Sequence, residues 1–515
     1  MDRTRTLEIA AATLLAFLAA LAVLVYKPFP LMDDGIVYLN VADNLRQGHG
    51  ASTTIIHYDT ERNHGRIPAP ITTFPPGYPV MAMLMGSSEP LVRIVSVLCF
   101  SGTAALLMWA LQMAGVPFLF RMVAVCLLVT NAASLRYATA IMSESLFTFL
   151  AFASLACILW AERSPRRAPV VYACVAIALA YTVRYAALFL IPPVVGYALY
   201  RAWVDGLYRP LEDRWQLALS SLVPLGVAGA FMVRNVLLVG DWRGGNDLPV
   251  VKSIGTLASD FSHGQLHLLF GEHKLSLGAW EIGLCAAVVL VLLGLRSSHR
   301  TSSYRDAALV GLWVLLYAAA FLYAARGSVV DLDSRMFVPM VPCYVLLFGL
   351  LMAHDAVPAL FTTGLVAMVL CYAAINARDL YVPDAPARSL VLANLLAQPM
   401  ADGRPPREWV DRHAAIDEAV FAADGQATAH VLRRPVVSMV PATYSALRWT
   451  CPEIRKQMAR FGARYWIVYR GPAQNDVDDA LPKEARAVTG SPAACGFTVA
   501  AENAGVSILT IGPLR

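Results

Sequence analysis

Long apolar runs separated by short polar breaks occupy the first three quarters of the chain. A helix needs roughly 17–25 predominantly apolar residues to cross a hydrocarbon core. Eleven runs approach that length: 9–26, 91–114, 121–140, 143–161, 169–183, 185–200, 216–238, 281–295, 306–324, 337–353 and 357–377. The fifth and sixth share "VVYACVAIALAYTVRYAALFLIPPVVGYALY", which reads equally as one interrupted segment or as two short tilted ones. The first run follows Arg3 and Arg5, is long for a signal segment and precedes no small-residue cleavage site, so it reads as an uncleaved first helix. The pattern then changes. From Asp379 to Arg515, 29 of 137 residues are charged. Short β-rich runs, "RRPVVSMVP", "RYWIVYRG" and "GVSILTIG", alternate there with helix-like "CPEIRKQMARFG". The expected architecture is a polytopic α-helical membrane protein of about eleven spans over residues 1–378, followed by a small soluble α/β domain over 379–515.

Composition agrees with the pattern. Hydrophobic residues make up 57% and charged residues only 15%, against about 25% charged in an average soluble protein. That excludes an ordinary soluble enzyme, a disordered chain and a disulfide scaffold. The balance of 41 basic and 36 acidic residues gives +5, and the basic residues are scattered, so no nucleic-acid surface is expected. Alternate short loops hold Arg121, then Arg163, Arg166 and Arg167, then Arg201, Arg209 and Arg214, then Arg296, Arg300 and Arg305. Positive charge favours the cytoplasmic side, which places the N-terminus inside. Residues 27–90, 239–280 and the tail then face the extracytoplasmic side.

Seven of the nine cysteines lie in apolar spans and read as small packing residues. Cys451 and Cys495 lie in the outward domain, where an oxidising compartment permits a disulfide, and the sequence leaves their pairing open. No CxxC or Cys/His spacing fits structural zinc. His49, His57 and His64 share the first outward loop without a spaced partner and read as solvated side chains.

That loop opens with "KPFPLMDDGIVYLNVADNLRQGHG". Asp33 or Asp34 can cap a short helix that carries Ile36, Leu39 and Leu45 on one side, ends at Gly48 and lies along the membrane interface. One cap needs one aspartate. A carboxylate pair at the mouth of a membrane domain also suits general-base work on a hydroxyl. Pro75-Pro76-Gly77 then makes a rigid turn into a second apolar stretch too short to span.

Lone arginines stand at the outer ends of spans: Arg136, Arg184, Arg234 and Arg335. The positive-inside rule does not ask for them there, although one alone can snorkel to the headgroups. Several on one face favour a phosphate site, because a guanidinium offers forked donors to phosphate oxygens. Glu144, in "IMSESLF", opens the fourth span in the same layer.

The acidic pair, the "PPGYP" tract, "SESLF", "VRNVLLVG" and "SRMFVPMVP" together resemble the GT-C glycosyltransferase superfamily. The bacterial group of protein O-mannosyltransferases and the lipid A aminoarabinose transferase is the nearest pattern, over roughly residues 1–377. The resemblance implies an enzyme of cell-envelope glycan biosynthesis in a bacterial inner membrane. Its donor would be a sugar on a polyprenyl phosphate and its acceptor the hydroxyl of a glycan, lipid or protein, transferred with inversion. Asp33 matches the catalytic base, Asp34 a second acid, and Glu144 a further acid of the outer layer. Arg184, Arg234 and Arg335 match the cations that bind the lipid phosphate, and the match is weaker for Arg136. The "DD" stands where protein O-mannosyltransferases typically carry "DE". The leaving group is already a phosphate anion, so no cofactor is required on charge grounds; a divalent metal is compatible with the group but finds no matching residues here. Two rival readings remain open: an oligosaccharide polymerase or ligase using undecaprenyl pyrophosphate donors, and a lipid or solute transporter. Against the latter, no internal repeat is visible and the notable charges cluster at one face.

Overall fold

The computed structural model describes residues 3–57, 60, 63–204, 211–244, 252–270, 302–327, 332–352, 388–400, 403–440, 447–469 and 483–511. Contacts divide the chain into two compact units. One comprises Met1–Phe29, Glu89–Phe231 and Val251–Pro383; the other comprises Pro30–Ser88, Met232–Val250 and Asp384–Arg515.

Helices dominate the first unit, and the chain is a multi-span membrane protein. Seven of the eleven expected runs are helices long and apolar enough to cross a membrane: Arg3–Tyr26, Glu89–Met113, Glu144–Ala161, Tyr185–Val204, Arg214–Val239, Arg305–Arg326 and Ser334–Met352. The run 169–183 is a shorter apolar helix, Ala168–Val183. The runs 281–295 and 357–377 lie outside the described residues. The run 121–140 is not one straight span but Phe118–Thr130 and Ala132–Thr139, bent by 59°. The break is at Asn131. Its backbone is extended, its side chain accepts from Ser134 N, and its Nδ2 donates to the carbonyl of Leu268 at 2.8 Å. An N-cap signal inside an apolar run thus outweighs hydropathy.

Packing in this unit follows side-chain size. Ala12, Ala16 and Ala20 recur every four residues on the first helix and are fully buried, whereas Leu14 and Leu18 are 56% and 52% exposed. Small residues let helix backbones approach where lipid gives no hydrophobic drive for association, and this helix packs on Glu89–Met113. Gly349 does the same elsewhere: a Cβ there would stand 2.6 Å from Leu111 Cδ2. Several arginines read as orientation signals are also paired. Arg121 meets Glu8 at 2.7 Å, Arg305 meets Glu162 at 2.5 Å, and Arg163 pairs with the buried Asp306.

A six-stranded mixed sheet carries the second unit. Its strands are β1 (Ile55–Ile56), β2 (Val420–Ala422), β3 (Val436–Ser438), β4 (Tyr465–Tyr469), β5 (Phe497–Glu502) and β6 (Val506–Ile511), in the order β1-β3-β2-β4-β6-β5. The first four run parallel; β6 pairs antiparallel with β4 and with β5. Alternate residues feed two cores. Val420, Val436, Ile467 and Ile508 face one side with Leu392 and Val410; Phe421, Val437, Trp466 and Leu509 face the other with Trp449 and Met458. Both faces are covered, so the parallel strands read as continuous apolar runs. Cys451 and Cys495 form a disulfide with Cα atoms 5.5 Å apart.

The outward loop was expected to belong to the membrane domain, as a part of residues 1–378. Residues Pro30–Ser88 instead fold into the second unit, where β1 pairs with Val436 and Val437 of β3. The expected boundary at 378/379 lies outside the described residues. The predicted short helix forms over Asp33–Arg46, but its cap position is Met32 and neither aspartate caps it. Asp33 and Asp34 occupy its first turn, where the helix dipole favours negative charge. Its buried side also differs from the expected stripe. Ile36, Val37 and Val41 enter the core beside Leu392 and Val436, whereas Leu45 is only partly buried, so sheet packing takes the face assigned to an interface. Asn40 joins this helix to the residues that lead into β1: its Oδ1 accepts from Thr53 Oγ1 and Thr54 N, both at 2.9 Å, and its Nδ2 donates to Thr54 Oγ1 at 2.8 Å.

Candidate functional site

In the first unit, three residues far apart in sequence meet at Glu144. The carboxylate opens the Glu144–Ala161 helix and is 0% exposed. Arg184 follows the last turn of Ala168–Val183 in an extended conformation, which ends that helix and aims the side chain sideways. Its Nη1 donates to Glu144 Oε1 at 2.6 Å and to Ser143 Oγ at 3.0 Å. Arg335 sits on the short helix Ser334–Phe337, which Asp333 caps by accepting from Met336 N. Its Nε ion-pairs with the same Oε1 at 2.7 Å. Among the described residues, Glu144 Oε2 makes no hydrogen bond. Two guanidiniums therefore share one carboxylate oxygen, with Asp333 a further acid within their electrostatic reach. Their side chains stay 15% and 18% exposed, which leaves part of each accessible to an anion.

Met336 and Tyr317 pack beside this trio. Arg184 Nη2 meets Met336 Sδ at 3.5 Å, and Tyr317 OH donates to the Met336 carbonyl at 3.2 Å. Asp333 is attracted by Arg335 and Arg184 and repelled by Glu144. Arg136, one turn before the end of Ala132–Thr139, lies over the Phe29 ring at 4.7 Å. Arg93 Nη1 donates to the carbonyls of Phe29 and Thr139, both at 2.7 Å. Sequence reasoning missed Asn131, Asp333 and Arg93; the "TNAAS" and "DLDSR" capping patterns would have signalled the first two.

The second unit holds the remaining candidates. Asp34 is 8% exposed and Asp33 half-buried, on the first turn of their helix. Arg234 donates through Nη2 to the carbonyl of Ile71 at 2.8 Å. Burial holds the His57 imidazole down at about 3, and His64 Nδ1 meets Arg460 Nη2 at 3.2 Å. No group of three or more His, Cys, Asp or Glu side chains that would hold a metal occurs among the described residues.

This architecture has solved counterparts. The chain aligns over 100% of its length with 100% of ArnT from Cupriavidus metallidurans bound to undecaprenyl phosphate, at 13% identity and a TM-score of 0.56. It has the GT-C fold. An Archaeoglobus fulgidus oligosaccharyltransferase aligns with 90% of this chain and 69% of its own, at 11% identity and a TM-score of 0.50. The arabinofuranosyltransferase AftD from Mycobacteria aligns with 100% of this chain but 42% of its own, at 14% identity and a TM-score of 0.54. Residues 83–230 match the family model described as dolichyl-phosphate-mannose-protein mannosyltransferase. No curated protein sequence matches. That matched segment contains Glu144 and Arg184, and Arg335 joins them from the short helix Ser334–Phe337 beyond it.

Proposed function

We propose that this chain is a membrane glycosyltransferase that moves a sugar from a polyprenyl-phosphate donor to an acceptor hydroxyl on the extracytoplasmic face of a bacterial inner membrane. The observation that carries the reading is the convergence of Arg184 and Arg335 on buried Glu144 within the GT-C fold. Two partly exposed guanidiniums on one carboxylate suit a phosphate-bearing leaving group better than any neutral one. Undecaprenyl phosphate, bound in the ArnT structure, is the lipid that such a reaction releases.

The reaction is a single displacement. Asp33 accepts the proton of the acceptor hydroxyl as its oxygen attacks the anomeric carbon. The bond from that carbon to the phosphate oxygen breaks, and the electron pair leaves with the polyprenyl phosphate. The anomeric centre inverts. Arg184 and Arg335 bind the charge that grows on the leaving oxygen; one preorganised donor of this kind is worth about 2.7–4 kcal/mol. Asp34, the more buried of the pair, orients the acceptor hydroxyl. Glu144, fully enclosed, anchors the two arginines. The arginines supply the counter-charge, so the proposal includes no metal.

The test incubates membranes containing the native or Asp33→Asn protein with radiolabelled polyprenyl-phosphate sugars. Native protein moves label into lipid, glycan or protein, and the labelled fraction names the acceptor. Asp33→Asn protein inserts normally and moves none. An active Asp33→Asn protein overturns the assignment of the base.

A further inference from the structure

Sequence pattern groups Arg234 with the phosphate-binding cations, yet its surroundings in the second unit give it another occupation. Its Nη2 donates to the carbonyl of Ile71 at 2.8 Å, and its Nη1 donates to Asn235 Oδ1 at 3.3 Å. The next loop residue, Thr72, is fully buried and donates Oγ1 to the carbonyl of Gly244 at 2.9 Å. Gly244 has φ +75°, and a Cβ there would lie 2.3 Å from the Thr72 carbonyl oxygen. Both the left-handed backbone and the close approach demand glycine. Buried Asn235 completes the ring by donating Nδ2 to the carbonyl of Trp242 at 3.3 Å. Two segments more than 160 residues apart are thus stitched together around one short loop.

That loop leads to the acidic helix. Phe74 meets Tyr38 edge-on with ring centroids 5.3 Å apart, and Tyr78 meets Tyr38 at 4.9 Å. Tyr38 lies one turn beyond Asp34 on Asp33–Arg46, so the two share a helix face.

We infer that Arg234 is a positioning residue: with Thr72 and Gly244 it clamps residues 71–78 against Tyr38 and so holds the first turn of the acidic helix, with Asp34 on the face of Tyr38 and Asp33 beside it. The lipid phosphate then belongs to Arg184 and Arg335. This inference rests on the transfer reading above. It accounts for the donors of Arg234 and Thr72 going to carbonyls of the protein's own backbone.

The experiment compares Arg234→Ala, Thr72→Val and Gly244→Ala in the full chain, reconstituted in lipid nanodiscs. Two readouts are taken: transfer kinetics with a polyprenyl-phosphate sugar, and hydrogen exchange of residues 71–78. All three variants are expected to lower kcat by ~10- to 100-fold, the scale of a misplaced catalytic group. The donor KM stays within about twofold, and exchange in residues 71–78 accelerates in each. Thr72→Val removes one hydrogen bond without steric conflict, so it decides the matter if Gly244→Ala fails to fold. The clamp is overturned if Thr72→Val keeps native exchange and kcat while Arg234→Ala raises the donor KM tenfold. If native protein transfers no sugar from any polyprenyl-phosphate donor, the transfer reading fails, and the exchange measurement still decides the clamp.

Discussion

Glu144→Gln preserves the shape of the buried side chain and deletes its charge, which separates an anchoring role from a merely space-filling one. The amide oxygen can still accept from Arg184 and face Arg335, contacts that measure 2.6 and 2.7 Å in the native protein. The substitution leaves each guanidinium charged but takes the charge from its partner, weakening the Arg184 hydrogen bond and the Arg335 ion pair by about 1 kcal/mol each, about 2 kcal/mol together. Removing one partner of a buried ion pair outright costs about 3–5 kcal/mol, which bounds the effect from above. The first unit spans about 305 residues, which at about 2.1 cal/mol/K per residue gives about 1.6 °C per kcal/mol, so its thermal midpoint falls by about 3 °C. The two guanidiniums, relieved of their counter-charge, hold phosphate at least as tightly, so affinity for undecaprenyl phosphate does not fall although transfer slows. Thermal unfolding in nanodiscs gives the first quantity and titration with undecaprenyl phosphate the second. A double-mutant cycle with Arg335→Gln isolates the shared term, expected at roughly 1–3 kcal/mol for residues in contact. An unchanged midpoint, or strict additivity in that cycle, refutes the anchor.

Three further outcomes follow from the fold. Opening the Cys451–Cys495 bridge, by Cys451→Ser or by reductant, frees a loop of 44 residues and destabilises the second unit by up to ~4 kcal/mol on the chain-entropy model; the urea midpoint reports it. Ala16→Leu forces a branched side chain into the seam between the first helix and Glu89–Met113 and costs about 1–3 kcal/mol; the same change at exposed Leu18 in reverse, Leu18→Ala, leaves the midpoint nearly unmoved. His57, held neutral at about 3 against its ordinary 6.5, takes up a proton more readily in the unfolded chain, so stability is full above pH 6.5 and declines as pH falls toward 3. His57→Gln flattens that slope, and an unaltered slope in urea titrations at pH 7 and 5 contradicts the assignment.

The sequence displayed what depends on local pattern and concealed what depends on distant pairing. Apolar runs located the spans because a membrane helix satisfies its own backbone. The break at Asn131 escaped, since a single capping residue barely alters the hydropathy of twenty neighbours. "RYWIVYRG" revealed its strand through five consecutive apolar and aromatic residues, whereas Val420–Ala422 is three residues long and buried on both faces, with no alternation to read. Ile55–Ile56 was still less legible: two residues in a polar loop become a strand only because Val436 and Val437 stand beside them. The candidate site divides in the same way. Glu144, Arg184 and Arg335 stood out as charges at the wrong ends of spans, and the structure brings those three together. Arg234 looked identical by that criterion, and only its bond to the Ile71 carbonyl sets it apart.

The pairing of β1 with β3 also has a temporal side. Residues 55 and 56 leave the ribosome about 380 residues ahead of their partner strand, which at 5–20 residues per second is a delay on the order of 20–80 s. Over that interval the segment carrying Asp33 and Asp34 lacks the core that later encloses Ile36, Val37 and Val41. The membrane helices can insert in order as they are made, but the acidic helix reaches its final place only after the last quarter of the chain has been synthesised. Maturation of this protein therefore ends where its chemistry is proposed to begin, and a ribosome stalled before residue 436 releases a chain that is inserted yet incomplete at that helix.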